Sequence, residues 1–183
     1  MKKKLDKFFK FDEVIEFRNT LDEETDRGVA LMAASFLEGE LEELLREYFL
    51  EDQVVVNQIF SFNGPCGTFS SKIHMTYILG LIGKKAYRDL HLIRKIRNDF
   101  GHTATPLTFE NQRIQNRCND LYYDALGFDV TPRTKFTRVA VGILAFIHGA
   151  HLKMKKCEPS MDYELSDEVK EEAKKAASEL TEY

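Results

Sequence analysis

Residues 133–155 read as one long helix that is apolar on nearly every side from Val139 to Ile147. A helix without a polar face cannot lie on a surface, so the chain must wrap it with other helices. Thr131-Pro132 marks its start, a capping residue followed by proline at the first helical position. Gly142 and Gly149 lack side chains and are expected to let neighbours pack closely. The run falls far short of the roughly 20 apolar residues that a membrane span needs.

The remaining apolar residues recur at helical spacing, and only Val54–Val56 could form a short strand. The fold expected is therefore all-α, a single-domain multi-helix bundle with a buried central C-terminal helix. Residues 1–157 would form that domain, and 158–183 an acidic C-terminal helical appendage. The periodicity predicts helices over residues 5–18 and from a Thr20/Glu23 capping box to Phe49. In that box Thr20 would accept from a free N–H while Glu23 bonds back. Ala30, Ala33, Ala34 and Gly39 would allow close approach to the second helix. Asp52 can cap a short helix through Ile59. A helix over 71–82 follows, capped by Thr68 or Ser70 and stopped at Gly83. Next come 84–100, then 110–126 capped by Thr108, and last Ser166 to about Leu180, which is rich in Glu, Lys and Ala and should be solvated.

The formal net charge of −4 hides a sharp division. Residues 1–69 carry 8 Lys/Arg against 15 Asp/Glu, residues 70–156 carry 15 against 6, and residues 157–183 carry 3 against 9. The basic middle suits an anion, RNA or an acidic partner, or the acidic ends fold back onto it. Cys66, Cys118 and Cys157 are too scattered for a zinc site, so no metal or cofactor is expected. Reduced thiols fit a cytoplasmic protein. The start MKKKLDKFF is basic, but Asp6, Lys7 and Lys10 interrupt any apolar segment, so export is not expected.

Leu90–His102 carries the densest chemistry. Leu90, Ile93, Ile96 and Phe100 mark a core face, while Arg94, Lys95 and Arg97 mark a cationic one. Arginine can hold a phosphate bidentately and histidine can move a proton. On an unbroken helix Arg97 and His102 would point about 140° apart. They converge only if Gly101 stops the helix. Otherwise Arg97 pairs with Asp99 or an acidic N-terminal helix, and His102 caps carbonyls. His148 and His151 stand at a metal-binding spacing with no carboxylate near in sequence, and read better as histidines at the end of a core helix. Cys66, in the turn Gly64-Pro65-Cys66-Gly67, is either a reactive thiol or a small residue filling the turn. No catalytic motif of the common enzyme classes is present.

Four stretches in order resemble the mannitol operon repressor family across roughly residues 20–125. They are Asp26-Arg27-Gly28 with Ala33–Glu38, Phe62-Asn63-Gly64-Pro65 with Gly67-Thr68-Phe69-Ser70, Leu79–Ile82, and Ile93–His102. Gly101 and Cys66 depart from the alanine and aliphatic residue expected there. The resemblance implies a cytoplasmic, non-enzymatic repressor of mannitol or other hexitol genes. No helix-turn-helix accompanies it, so the regulator would work through another protein, a transcription regulator or a sugar-transport component, rather than by reading DNA. The surface expected to meet that partner combines Phe62, Asn63, Gly64, Pro65, Gly67 and Thr68 with Arg94, Lys95 and Arg97. A shorter resemblance, Arg97-x4-His102, is to HEPN domains, modules that often dimerise and include metal-independent ribonucleases. It implies Arg97 on a scissile phosphate and His102 as acid or base, an RNA-directed alternative to the repressor.

Overall fold

The computed structural model describes residues 11–123, 130–160 and 164–180. Within them the chain forms α1 (Phe11–Glu23), α2 (Asp26–Tyr48), α3 (Gln53–Phe60), α4 (Phe69–Ile78), α5 (Lys84–His102), α6 (Gln112–Asn119), α7 (Pro132–Lys153) and α8 (Asp167–Leu180), with no strand. The all-α expectation holds. The helix expected over 5–18 is described only from Phe11 onward.

The core lies where α2 meets α7, α5 and α4, with α1 and α6 packed against α7. Phe136, Val139, Ala140, Ile143, Leu144 and Ile147 of α7 are buried, as the apolar run demanded, and α2 shares the centre through Val29, Ala33, Leu37, Leu41 and Leu44. A smaller cluster of Leu45, Val56, Phe60 and Cys66 closes one end, with Phe49, Leu79 and Leu81 packed against it.

Local chemistry explains most boundaries. Thr131 accepts from the Thr134 amide with Pro132 in the first turn, and Asp52 accepts from the amides of Val54 and Val55, so the valines enter a helix. Thr68 and Ser71 form a reciprocal capping box on α4.

Several expectations are corrected. Thr20 does not cap: its hydroxyl donates to the Glu16 carbonyl at 2.9 Å inside α1, and Thr25 caps α2 by accepting from the Gly28 amide at 3.1 Å. Gly80, at φ +74°, ends the α4 turn because glycine alone enters that region cheaply. Gly83 is instead the residue from which α5 starts. Asn111, not Thr108, caps α6, which ends at Asn119. Part of the expected 110–126 helix lies outside the described residues. Of the glycines expected to admit neighbours, Gly142 does so: a Cβ there would lie 3.3 Å from Tyr123, whereas Gly39 and Gly149 face open space.

One polar knot locks α1, α2 and α7 to the loop after α5. Asp26 accepts from the buried Phe109 amide at 2.9 Å and pairs with Arg133 at 2.7 Å. Arg133 also donates to the Glu24 carbonyl.

Candidate functional site

The helix α5 continues through Gly101 and ends at His102, and Gly101 does not adopt a positive φ. Glycine permits a stop without requiring one, and here α5 keeps its geometry. Arg97 and His102 therefore stay about 140° apart around one axis, and the convergence that acid–base chemistry would need is not made. Arg97 is half-buried and donates to the Asn98 side chain at 3.1 Å. The expected pairing with Asp99 is also absent. Asp99 is taken by Arg113 and Arg117 of α6, the latter at 2.5 Å. Nor does His102 cap the helix: the Thr103 hydroxyl donates to the Asp99 carbonyl at 2.6 Å, and Arg27 donates to the Thr103 carbonyl at 2.5 Å.

The core side of α5 is Ala86, Asp89, Leu90, Ile93, Ile96 and Phe100. Its outward side carries Lys84, Arg88 and Lys95, all exposed, with Arg94 half-buried beside them. Among the described residues none of these four has an ion pair. Lys84 and Arg88 extend the cationic face beyond the segment singled out from sequence. The signal was present: positions 84, 88, 91 and 95 share one helical stripe.

Aromatic rings border that stripe. The Tyr87 hydroxyl lies 3.1 Å from His74 Nδ1, the His74 and His91 rings are 4.8 Å apart, and the Tyr77 and Tyr87 rings lie 4.5 Å apart at a tilt. Burial first, and then the charges of His74, Arg94 and Lys95, push His91 down to about 4. It is neutral at physiological pH. His91 Nε2 and Arg94 Nε are both buried without a hydrogen-bond partner.

The turn before α4 is tightly built. The Cys66 amide donates to the Ile59 carbonyl at 2.9 Å, and the Gly67 amide to the Gly64 carbonyl at 3.0 Å. A Cβ at Gly64 or Gly67 would come within 2.3 Å of a backbone carbonyl oxygen. Both positions thus need glycine for close backbone approach. Cys66 is fully buried, and burial raises its thiol above the ordinary range, so it fills the turn rather than reacting. Phe62, by contrast, is 89% exposed at the tip. Asn63, Pro65 and Thr68 are exposed around it, with Gly64 and Gly67 half-buried.

The helix α4 connects the two parts, starting at Thr68 and carrying His74 against α5. Among the described residues no hydrogen bond or ion pair joins the turn directly to Arg94, Lys95 or Arg97.

His148 and His151 each meet a glutamate from α2: Glu40 at 2.9 Å and Glu47 at 2.6 Å. They tie α7 to α2, and among the described residues no His/Cys/Asp/Glu group of three or more could hold a metal. Buried Asp89 accepts from the Tyr122 and Tyr123 amides at 3.0 and 2.7 Å, fixing the chain after α6. Neither arrangement was visible in the sequence, because the partners are 33 to 108 residues apart.

The model of a family described as the mannitol repressor, MtlR, matches residues 11–125. The chain belongs to the mannitol repressor family. The match takes in α1 to α6, with both the turn and α5. No curated protein matches. Among solved structures, a chain of the X-ray structure of the MtlR–HPr complex from Escherichia coli is similar at a TM-score of 0.60 and 18% identity. The match covers 73% of this chain and 99% of that one. At that identity it shows a shared fold.

Proposed function

We propose that this member of the family represses genes of mannitol or another hexitol from the cytoplasm, by contact with another protein and without reading DNA itself. The partner we assign is of the sugar-transport class, an HPr-type protein. The similar fold from the Escherichia coli complex supports this choice.

The observation that carries the reading is the outward face of α5, where Lys84, Arg88, Arg94 and Lys95 have no ion pair among the described residues. An unneutralised face of one sign steers an oppositely charged surface into register. Phe62, 89% exposed on a rigid turn, adds the aromatic anchor that such a contact needs. The docking surface is thus Phe62, Asn63, Gly64, Pro65, Gly67 and Thr68 with Arg94 and Lys95, while Arg97, about 160° round the helix from Lys95, lies off that face.

Calorimetric titration of the purified protein with HPr tests it. Binding is expected, with Phe62→Ala and Lys95→Glu each weakening it about tenfold, equivalent to roughly 1.4 kcal/mol. Both side chains are exposed, so thermal stability should not change. Absence of binding to HPr, together with a salt-sensitive shift of operator DNA by the protein alone, would overturn the reading.

A further inference from the structure

We propose that the seam between α4 and α5 is a binding site for a phosphoryl oxyanion, centred on His91 and Arg94. The site stands on its own observations, and only its effect on a protein partner rests on the reading of the α5 face as a docking surface.

Two nitrogens of the seam lack partners. His91 Nε2 and Arg94 Nε are closed to solvent, and neither has a hydrogen-bond partner among the described residues. Buried polar groups are nearly always satisfied by protein, water or a ligand. A neutral imidazole carries its proton on one of its two nitrogens. An oxyanion would accept from Arg94 Nε–H, and its charge would draw the His91 proton to Nε2.

The surroundings select an anion. Side chains three and four apart are neighbours on a helix, so Arg94 and Lys95 flank His91 on one side and Tyr87 and Arg88 on the other. From α4, the His74 ring lies 4.8 Å from the His91 ring, with the Tyr87 hydroxyl 3.1 Å from His74 Nδ1. Burial, and then the charges of His74, Arg94 and Lys95, keep His91 unprotonated. Positive charge therefore converges on this point, and the carboxylates nearby are all engaged. The helix α4 has no Asp or Glu. On α5, Asp89 is taken by the amides of Tyr122 and Tyr123, and Asp99 by Arg113 and Arg117. On α2, which packs against both helices, Glu38 and Glu42 are held by Lys72.

Access needs only a side chain to move. His74 is exposed, His91 and Arg94 are half-buried, and Arg94 has no ion pair among the described residues. Swinging that guanidinium outward opens room for a tetrahedral anion, on which it can close again with paired N–H groups. Exposed Arg88 and Lys95 add charge at the rim. Half-buried Tyr77 and Tyr87, with rings 4.5 Å apart, offer apolar surface to the carbon chain of an ester. Arg94 and Lys95 also belong to the docking surface, so an anion bound here competes with a partner.

Titration of the full-length protein with inorganic phosphate, followed by NMR of the histidine ring signals, tests the site. Saturable shifts are expected at His74 and His91, with none from chloride at equal ionic strength. Phosphate should also raise the His91 titration from about 4 towards the ordinary histidine range, because a bound anion favours the charged ring. Arg94→Gln should weaken phosphate binding about tenfold while leaving the circular dichroism spectrum unchanged. A hexitol monophosphate that saturates at lower concentration than phosphate, while the uncharged hexitol gives no shift, makes an organic ester the source of the phosphoryl group. Equal saturation by both makes it free phosphate. The proposal is overturned if phosphate gives no saturable shift, if chloride reproduces the shift, or if Arg94→Gln binds phosphate as tightly as the parent. Saturating phosphate should weaken HPr binding about tenfold. Phosphate binding with no effect on HPr, or with no HPr binding at all, sustains the site and removes only the shared docking surface. The two failures are thus distinguishable.

Discussion

Replacing Gly101 with alanine decides how α5 ends, and with it whether Arg97 and His102 can share a site. Gly101 lies in the last turn of a continuous helix at negative φ. A Cβ there would meet only Leu31 Cδ2, at 3.7 Å, which is ordinary van der Waals contact. Alanine therefore fits without strain and limits the freedom of the unfolded chain. Gly→Ala at a compatible helical position stabilises by about 0.5–1 kcal/mol. For a chain of this size that raises Tm by about 1–4 °C. Urea unfolding followed by circular dichroism should show a higher midpoint with an unchanged m-value. Were Gly101 a left-handed stop, alanine would cost roughly 1–2 kcal/mol. A lowered midpoint would refute the continuous helix and reopen the convergence of Arg97 with His102.

Other substitutions probe the frame around the surface. Asp26→Ala leaves the Phe109 amide and the Arg133 guanidinium without their shared acceptor, and should destabilise by about 2–3 kcal/mol in the same urea assay. Gly67→Ala places a Cβ 2.3 Å from the Ser61 carbonyl oxygen. It should weaken HPr binding measurably by shifting Phe62, whereas Gly39→Ala, in open space, should not. His91 should titrate by NMR near 4. Its folded pKa is depressed, so the unfolded chain takes up this proton first, and the His91 contribution to stability falls as pH drops from about 6.5 towards 4.

The sequence revealed helices more reliably than their ends. Thr20 and Glu23 satisfy the capping-box pattern, yet the chain breaks at Thr25, because Leu21 is needed in the core and keeps α1 running past Thr20. Gly80, Gly83 and Gly101 look alike in a sequence, but only Gly80 takes a positive φ. Glycine permits a stop, and packing decides whether it is used. The cationic face was legible at Arg94 and Lys95 because local periodicity carries it, and the same periodicity extends it to Lys84 and Arg88. What escaped was long-range. Arg113 and Arg117 claim Asp99, Glu40 and Glu47 claim the two histidines, and Asp89 catches the chain after α6. Each pairing depends on how helices dock, which no local pattern records.

The central claim, a protein-docking surface built from the 62–68 turn and the α5 face, is tested most directly by titrating unlabelled HPr into isotope-labelled protein and following amide NMR shifts. The largest changes are expected on residues 62–68 and 94–98. Changes confined to α1, α6 or α7, or none at all at saturating HPr, would contradict it.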